Sequence, residues 1–308
     1  MGAGNTSELS GFFLVGLTND PQLQPILFAL FFFIYVVTVV GNLGLLALTV
    51  VSPRLHTPMY FFLSNLSFLD FCYSSVTVPK MLMGFFSGCQ TISSGCVVQT
   101  SCFLIFAVTE FFLLASMAYD RYVAICNPLL YHIIMSPRLY LQLVAASYAV
   151  GLMNMVLLTS TTFHLTFCES HVITHYFCDI LPLLKLSCSD TQVLQLLLFA
   201  CGGFNVFVSL PIVLVSYICI FLAIIRIPSV QGKHKTFSTC ASHLTTVSLY
   251  YGTTVFIYLR PSSEYLIGRD NLVSLFYTVV IPMLNPMIYS LKNKDVKETF
   301  GNVLEKTS

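Results

Sequence analysis

The sequence is poor in charge. Asp, Glu, Lys and Arg make up only 9% of its 308 residues, whereas 56% are hydrophobic and the mean hydropathy is +0.83. A soluble domain of this length carries about 25% charged residues, because it must cover its surface with polar groups. The formal net charge is only +1, so nothing in the charge balance points to nucleic acid or to an acidic partner. The low charge content and the high hydropathy predict an integral membrane protein.

Long stretches with little or no charge divide the chain into seven segments, each able to supply the roughly 20 apolar residues that cross a bilayer. Their hydrophobicity is continuous rather than alternating, which favours helices over barrel strands. We therefore predict an all-α membrane protein, a bundle of seven transmembrane helices. The segments are about Pro25–Val51, about Pro58–Met83, about Cys96–Tyr119, between Arg138 and Glu169, between Asp190 and Arg226, between Lys235 and Arg260, and between Asp270 and Lys292.

Most Lys and Arg residues fall in the loops on one side of this bundle, and the positive-inside rule makes that side cytoplasmic. The prediction is an extracellular tail (residues 1–24), a transmembrane domain (residues 25–291) and a cytoplasmic segment (residues 292–308). The last begins with a short basic amphipathic helix over Lys292–Phe300. The first residues lack the basic and apolar regions of a signal peptide, so cleavage is not expected.

Five of the eleven cysteines lie on the predicted outer side, where disulfides form: Cys89, Cys96, Cys168, Cys178 and Cys188. Five cysteines allow at most two bridges, and the residues alone leave the pairing open. The outer tail also contains Asn5-Thr6-Ser7, a glycosylation sequon in an accessible position.

Six motifs follow one another in a fixed order along the segments: Gly41-Asn42, Leu55–Leu63, Met117–Cys126, Ser216-Tyr217, Lys235–His243 and Pro282–Tyr289. The Asp-Arg-Tyr or Asn-Pro-x-x-Tyr motif alone is typical of any rhodopsin-like receptor. With the blocks Leu55–Leu63 and Lys235–His243, the chain resembles a vertebrate olfactory receptor over nearly its whole length. The Pro-Met-Leu-Asn-Pro form that begins at Pro282 resembles the tetrapod-type class II branch.

That resemblance implies a rhodopsin-like bundle at the plasma membrane with no enzymatic activity. It also implies an odorant as ligand and a stimulatory olfactory G protein as partner, with cyclic AMP as the product of signalling. The outer disulfide that it implies is Cys96–Cys178, and Cys168–Cys188 is then the natural second bridge.

The inner end of segment three places Asp120 beside Arg121. A charged pair is costly at a membrane boundary, so we interpret it as a switch in which Asp120 holds Arg121 until activation. A static interfacial salt bridge explains the pair alone equally well, and the family resemblance favours the switch. The residues assigned to G-protein coupling and switching are Asp120, Arg121, Tyr122, Tyr217, His243, Asn285, Pro286 and Tyr289.

Asp70 and Glu110 are the carboxylates deep within the predicted bundle. An unpaired charge there is expensive, so the two are protonated, coupled to each other or bound to a cation. The resemblance suggests a sodium ion near Asp70 with Glu110 as a further ligand, and a shared proton is the competing hypothesis. No other cofactor is expected.

Apolar stripes in the outer halves of segments three, five, six and seven are predicted to surround the ligand, with two residues of the long loop above them. The predicted ligand-binding residues are Phe103, Leu104, Ala107, Val108, Asp179, Ile180, Cys201, Gly202, Asn205, Tyr251, Thr254, Val255, Tyr258, Leu275 and Thr278. At any single position, ordinary helix packing is as good an explanation. The mixture of apolar walls and a few polar groups suits a small, volatile, neutral molecule.

Several absences narrow the function. The outer half of segment three has no Asp to pair with a monoamine, and Leu272–Leu291 has no Lys to hold retinal. The alternative of a transporter or channel would also place carboxylates within the membrane, but the inverted repeats and paired broken helices typical of transporters are not visible. An enzyme is least favoured, because no nucleophile and base converge.

Overall fold

The computed structural model describes residues 12–15, 17–18, 20–87, 89–92, 94–167, 172–173, 175–258, 267–292, 296 and 298–299. Within these residues the chain forms seven long helices, as predicted. Their bounds are α1 Leu23–Val51, α2 Pro58–Ser87, α3 Ser94–Cys126, α4 Pro137–Phe163, α5 Gln192–Arg226, α6 Val230–Tyr258 and α7, which combines Ile267–Leu275, a π-helical turn Phe276–Val280 and Ile281–Lys292.

Short elements connect the helices. One helical turn each is formed by Pro53–Leu55, Pro128–Leu130, Tyr131–Ile134 and Ile180–Leu184. We call the end of the bundle that is predicted to be extracellular the outer end, and the opposite end the inner end. At the outer end three strands form a small sheet: β1 (Phe12–Val15) lies between β2 (Cys89–Ile92), to which it is antiparallel, and β3 (Val172–Ile173), to which it is parallel. The sequence analysis did not predict this sheet. It joins the tail to the outer loops.

Helix α3 lies at the centre of the bundle. In the most apolar stretch of α3, 67% of the residues are buried inside the protein, whereas 17% are buried in the corresponding stretch of α1. The outward faces of the surrounding helices expose large apolar side chains, such as Phe33 on α1 and Phe207 and Val215 on α5. A soluble protein does not expose such continuous apolar faces, whereas lipid accommodates them.

Five of the helices in the described part are long and apolar enough to cross a membrane by their own composition: α1, α3, α4, α5 and α7. Helices α2 and α6 are of similar length but carry more Ser, Thr, Asn and charged residues. Several of these polar side chains, including Asp70, Ser74 and His243, are buried inside the bundle. Asp70 is bonded to Asn285 on α7, and His243 to Tyr217 on α5.

Acidic residues mark the outer starts of two helices. The backbone N–H of Gln22 donates to Asp20 Oδ1 (2.9 Å) just before α1, and Gln192 N–H donates to Asp190 Oδ1 (2.9 Å) at the start of α5. A helix leaves its first N–H groups without internal partners, and a carboxylate in this position satisfies one of them and complements the helix dipole.

Gly151 on α4 allows close packing against α3, and its replacement by Ala is expected to destabilise the protein. An added Cβ would lie 2.6 Å from the backbone oxygen of Ile105 and would also clash with the hydroxyl of Thr109. Because backbone cannot move aside cheaply, we expect a loss of about 1–3 kcal/mol. Thermal unfolding of the purified receptor measures it, with Gly44→Ala as the control because nothing lies within 4 Å of its added Cβ. Equal unfolding midpoints for the two variants would contradict this view of the packing.

Candidate functional site

A cavity opens in the outer half of the bundle between α3, α4, α5, α6 and α7; we call it the outer cavity. Its volume is about 70 Å³, and most of its wall is apolar. The lining residues are Phe103, Leu104, Ala107, Val108, Phe111, Asn154, Leu158, Asp179, Ile180, Leu198, Cys201, Gly202, Asn205, Val206, Tyr250, Thr254, Val255, Tyr258 and Tyr277.

The roof of the outer cavity is formed by residues 175–184, here called the outer loop. A disulfide joins Cys178 in this loop to Cys96 on α3, with their Cα atoms 5.4 Å apart. Two further α3 side chains hold the same residue: Gln99 Oε1 accepts from the Cys178 N–H (2.9 Å), and the Thr100 hydroxyl donates to the Cys178 carbonyl (3.0 Å). Cys178 is fully buried as a result. The roof is therefore fixed to α3 by both covalent and polar contacts.

Asp179 connects this roof to α6. Its Oδ1 accepts from the N–H of Ile180 (2.7 Å), which caps the short helix Ile180–Leu184, and its Oδ2 accepts from the Tyr258 hydroxyl (3.0 Å). Burial raises the pKa of the Asp179 carboxyl to about 6, and the hydrogen bonds from Tyr258 and the backbone keep it from rising further. Near neutral pH the side chain is therefore chiefly a carboxylate that accepts hydrogen bonds.

Two aromatic residues connect the outer loop to α7. The Tyr176 hydroxyl donates to Ser274 Oγ (3.1 Å) and lies 2.7 Å from Thr278 Oγ1, and His175 Nε2 lies 3.3 Å from Ser274 Oγ. Burial lowers the pKa of His175 to about 3, so this imidazole is neutral at physiological pH. The outer loop is thus anchored to α3, α6 and α7 together.

Asp179 gives the stability of the receptor a pH dependence whose sign follows from its raised pKa. The ordinary value is 3.8 and the folded value is about 6, so in this window the folded state holds the proton more tightly and loses stability as pH rises. Relative to Asp179→Asn, which cannot ionise, the wild type is expected to lose about 1 kcal/mol between about pH 5 and pH 7. Thermal unfolding midpoints of both proteins at the two pH values test this. The His175 contribution is the same in both and cancels, and a difference that stays constant with pH would contradict the assignment.

Aromatic side chains form the inner end of the outer cavity. Phe111 packs edge-on against both Tyr250 and Tyr251, with ring centroids 4.9 Å apart in each pair. The hydroxyl of Tyr250 donates to the carbonyl of Ala107 (2.5 Å), and that of Tyr251 donates to the carbonyl of Phe111 (3.2 Å). These contacts fix α6 against α3 beneath the cavity.

Twelve of the fifteen predicted ligand-binding residues line the outer cavity, and three do not: Tyr251, Leu275 and Thr278. Tyr251 is turned to the backbone of α3, and Tyr250 lines the cavity instead. Thr278 is turned to Tyr176, Leu275 packs against the core, and Tyr277 lines the cavity in their place. The remaining lining residues that the sequence analysis missed are Phe111, Asn154, Leu158, Leu198 and Val206.

A polar cluster lies deeper in the bundle. Asp70 Oδ2 accepts from Asn285 Nδ2 (2.9 Å), and Thr246 donates to Asn285 Oδ1 (3.3 Å), so α2, α6 and α7 meet there. Glu110 interacts electrostatically with Asp70, and its Oε1 is buried without a hydrogen-bond partner among the described residues. No group of three His, Cys, Asp or Glu side chains in the described part of the chain could hold a metal ion.

The predicted clamp has an electrostatic part, because Asp120 and Arg121 interact electrostatically, but the side-chain hydrogen bond of Asp120 comes from another residue. Asp120 accepts a hydrogen bond from the hydroxyl of Tyr131 (2.8 Å) in the inner loop. The Nε of Arg121 is buried without a hydrogen-bond partner in the described residues.

Arg121 lies among residues from three other helices. It interacts electrostatically with Tyr217 on α5, His243 on α6 and Tyr289 on α7. The Tyr217 hydroxyl and His243 Nδ1 are 2.5 Å apart, and His243 is completely buried. We call these four residues the inner cluster. Four of the predicted switch residues are therefore neighbours in space.

Several predictions fall partly or wholly outside the described residues. Cys188 is held in a disulfide, but Cys168, its predicted partner, is not described, so the second bridge stays a prediction. The same holds for the sequon at Asn5 and for the amphipathic helix Lys292–Phe300, of which residues 292, 296, 298 and 299 alone are described.

Comparisons with known proteins agree with this architecture. A family model described as "Olfactory receptor" matches residues 31–307. The chain is 54% identical to mouse Olfactory receptor 5T9, over 98% of this chain and 92% of that protein. It is 54% identical to mouse Olfactory receptor 5AP2, over 97% and 95% of the respective chains, and 52% identical to human Olfactory receptor 8U9, over 97% of each.

Proposed function

The chain belongs to the olfactory receptor family of G-protein-coupled receptors, and from this premise we propose what it binds and how it signals. It is a multi-pass membrane protein and not an enzyme. The proposed ligands are small, volatile, neutral and mainly apolar molecules that occupy the outer cavity. The proposed partner is the stimulatory olfactory G protein, and the proposed output is a rise in cyclic AMP.

The outer cavity is the observation that carries the ligand proposal. One water needs roughly 10–15 Å³ of such a cavity, so its volume of about 70 Å³ accommodates a molecule equivalent to on the order of five waters. The aromatic and aliphatic walls provide desolvation, while the few polar groups orient the ligand. A large or strongly charged ligand would not fit these walls.

The inner cluster supports the signalling proposal. Arg121 carries a permanent charge that the described residues leave without a hydrogen bond at Nε. Movement of α5, α6 and α7 away from α3 would expose this charge to the cytoplasmic side, where a G protein can contact it. The proposal includes an N-terminus outside, a C-terminus inside and a location in the plasma membrane, and the basic inner loops support this orientation.

A cyclic AMP assay tests the proposal as a whole. Cells that express the receptor, and cells that express the same receptor with Arg121→Ala, are exposed to a panel of small neutral odorants at equal surface expression. We expect concentration-dependent cyclic AMP from the first cells only. Transport or conductance of a panel compound without cyclic AMP would favour the alternative class of function.

We also propose a sodium ion at the polar cluster. Asp70 and Glu110 are both buried, and two anions repel each other in an apolar bundle. The unpartnered Glu110 Oε1 fits an additional oxygen ligand, and Asn285 orients Asp70. A sodium ion supplies the positive charge that this oxygen set lacks. Sodium is therefore expected to change agonist affinity in the wild type and not in Asp70→Asn, with potassium at equal ionic strength as control. An equal sodium effect in both proteins would favour a shared proton instead.

A further inference from the structure

Three of the four hydroxyl groups that line the outer cavity have already committed their hydrogens, and the fourth, that of Tyr277, lies 3.5 Å from the Tyr258 hydroxyl. Tyr250 donates to the carbonyl of Ala107 (2.5 Å), and Thr254 donates to the carbonyl of Tyr250 (2.7 Å). Tyr258 donates to Asp179 Oδ2 (3.0 Å). A hydroxyl carries one hydrogen and two lone pairs, so these groups turn lone pairs rather than hydrogens to a ligand.

Two amides on the same wall are oriented by their surroundings. Asn154 Nδ2 donates to the carbonyl of Val150 (2.9 Å), which can only accept, so Asn154 Oδ1 faces Asn205. Asn205 must then present Nδ2 to that oxygen, and it does so at 3.2 Å. The Val150 carbonyl thus fixes the orientation of the Asn154 amide, and Asn154 in turn fixes which end of the Asn205 amide is the nitrogen and which is the oxygen.

This chain of bonds leaves one acceptor unused. Asn205 lines the outer cavity and is only 3% exposed, and its Oδ1 has no hydrogen-bond partner among the described residues. A buried acceptor without a donor costs free energy, and a ligand that supplies the donor removes this cost. Resting on the proposed function, we infer that the receptor selects alcohols and phenols, whose hydroxyl donates to Asn205 Oδ1, over carbonyl compounds and ethers of the same shape.

Asp179 does not convert this preference into one for amines. Its two oxygens already accept hydrogen bonds from Ile180 and Tyr258. The walls near Asn205, such as Leu198 and Val206, are apolar. An ammonium group that donates to Asn205 Oδ1 would therefore exchange its hydration for one amide oxygen and apolar walls, whereas a neutral hydroxyl loses little hydration.

Binding to the purified full-length receptor separates this inference from G-protein coupling. We would measure thermal unfolding midpoints at increasing concentrations of matched pairs: cyclohexanol and cyclohexanone, 1-heptanol and heptanal, and 4-methylphenol and its methyl ether. A ligand that binds the folded state raises the midpoint according to its affinity. We expect the hydroxyl member of a pair to bind roughly tenfold more tightly.

Two variants of the amide pair are expected to act in opposite directions. Asn205→Leu, similar in size to Asn, removes the acceptor and should bring the members of each pair to equal affinity; Asn205→Ala serves if the Leu variant does not reach the membrane. Asn154→Leu releases Asn205 Nδ2 as a free donor, so carbonyl compounds should gain affinity. A purely structural role for the two amides would weaken all ligands alike.

The failures can be told apart. If no compound shifts the midpoint of the wild type, the outer cavity does not bind small neutral molecules, and the proposed function fails together with this inference. If hydroxyl compounds and their partners shift it equally, or if Asn205→Leu keeps the hydroxyl preference, the inference alone is overturned.

Discussion

Replacement of Arg121 by Ala is expected to abolish odorant-evoked cyclic AMP while leaving the receptor at the cell surface. Arg121 is 7% exposed and its Nε has no partner among the described residues. Its removal therefore breaks no hydrogen bond at that atom, but it removes the charge around which α5, α6 and α7 are arranged. We expect the response to fall by more than about tenfold, which corresponds to roughly 1.4 kcal/mol of coupling.

The matched control is Arg138→Ala, which removes a positive charge from an exposed side chain at the inner start of α4. Like Arg121→Ala, it removes one positive charge from the inner half of the receptor, but it leaves the inner cluster intact. Its response should therefore match that of the wild type at equal surface expression. A normal response from Arg121→Ala would show that the inner cluster is a structural contact and not a signalling element.

Loss of the outer disulfide is expected to prevent surface expression of the receptor. The bond joins residues 82 positions apart in sequence, and closing a loop of that length restricts the unfolded chain by about 4 kcal/mol in the chain-entropy description. It also holds Cys178 where Gln99 and Thr100 bind its backbone. Cys178→Ser should therefore release the roof of the outer cavity, detected by antibody staining of intact cells.

Cys102→Ser is the control, because Cys102 is a free cysteine that lies on α3, as Cys96 does, and is not part of the disulfide. It should keep normal expression. The double variant Cys96→Ser with Cys178→Ser should lose as much expression as the single one, since loss of the bond and not exposure of a reactive thiol is the cause. Normal expression of Cys178→Ser would mean that the polar contacts to α3 hold the outer loop without the bond.

Much of the bundle could be predicted from the sequence because lipid makes a simple demand. A span must be long, apolar and internally hydrogen-bonded, so seven stretches with little or no charge became seven helices. On α3 and α5 the helical period also placed the cavity wall correctly, as Phe103, Ala107 and Asn205 show. Regular helices allow such an extrapolation.

The α-helical period does not predict which side chains face the cavity where the helix is irregular. The turn Phe276–Val280 is π-helical, with more residues per turn than an α-helix, so it rotates the following side chains relative to an α-helical projection. Tyr277 consequently lines the cavity, while Thr278 contacts Tyr176 in the outer loop. The sequence contained no signal for this turn.

Contacts between segments far apart in the chain could also not be predicted from the sequence. Nothing in the order of residues indicated that Gln99 would hold Cys178, that Tyr131 would donate a hydrogen bond to Asp120, or that β1 would join two outer loops. Each of these depends on which surfaces meet in space, and sequence spacing within one helix carries no information about that.

Whether odorants act from the outer cavity is tested most directly by two neighbouring glycines on α5. Gly202 lines the cavity, whereas an added Cβ on Gly203 has no atom within 4 Å. Replacing either glycine with Leu changes helix propensity equally, but the side chain enters the cavity only at Gly202.

The measurement is the concentration–response curve of cyclic AMP for the most potent compound of the hydroxyl panel, at equal surface expression of wild type, Gly202→Leu and Gly203→Leu. We predict that Gly202→Leu requires at least about tenfold more compound, or fails to respond, because the added carbons occupy space the ligand needs. Gly203→Leu should respond like the wild type. Equal potency in all three receptors would contradict the outer cavity as the site of odorant binding.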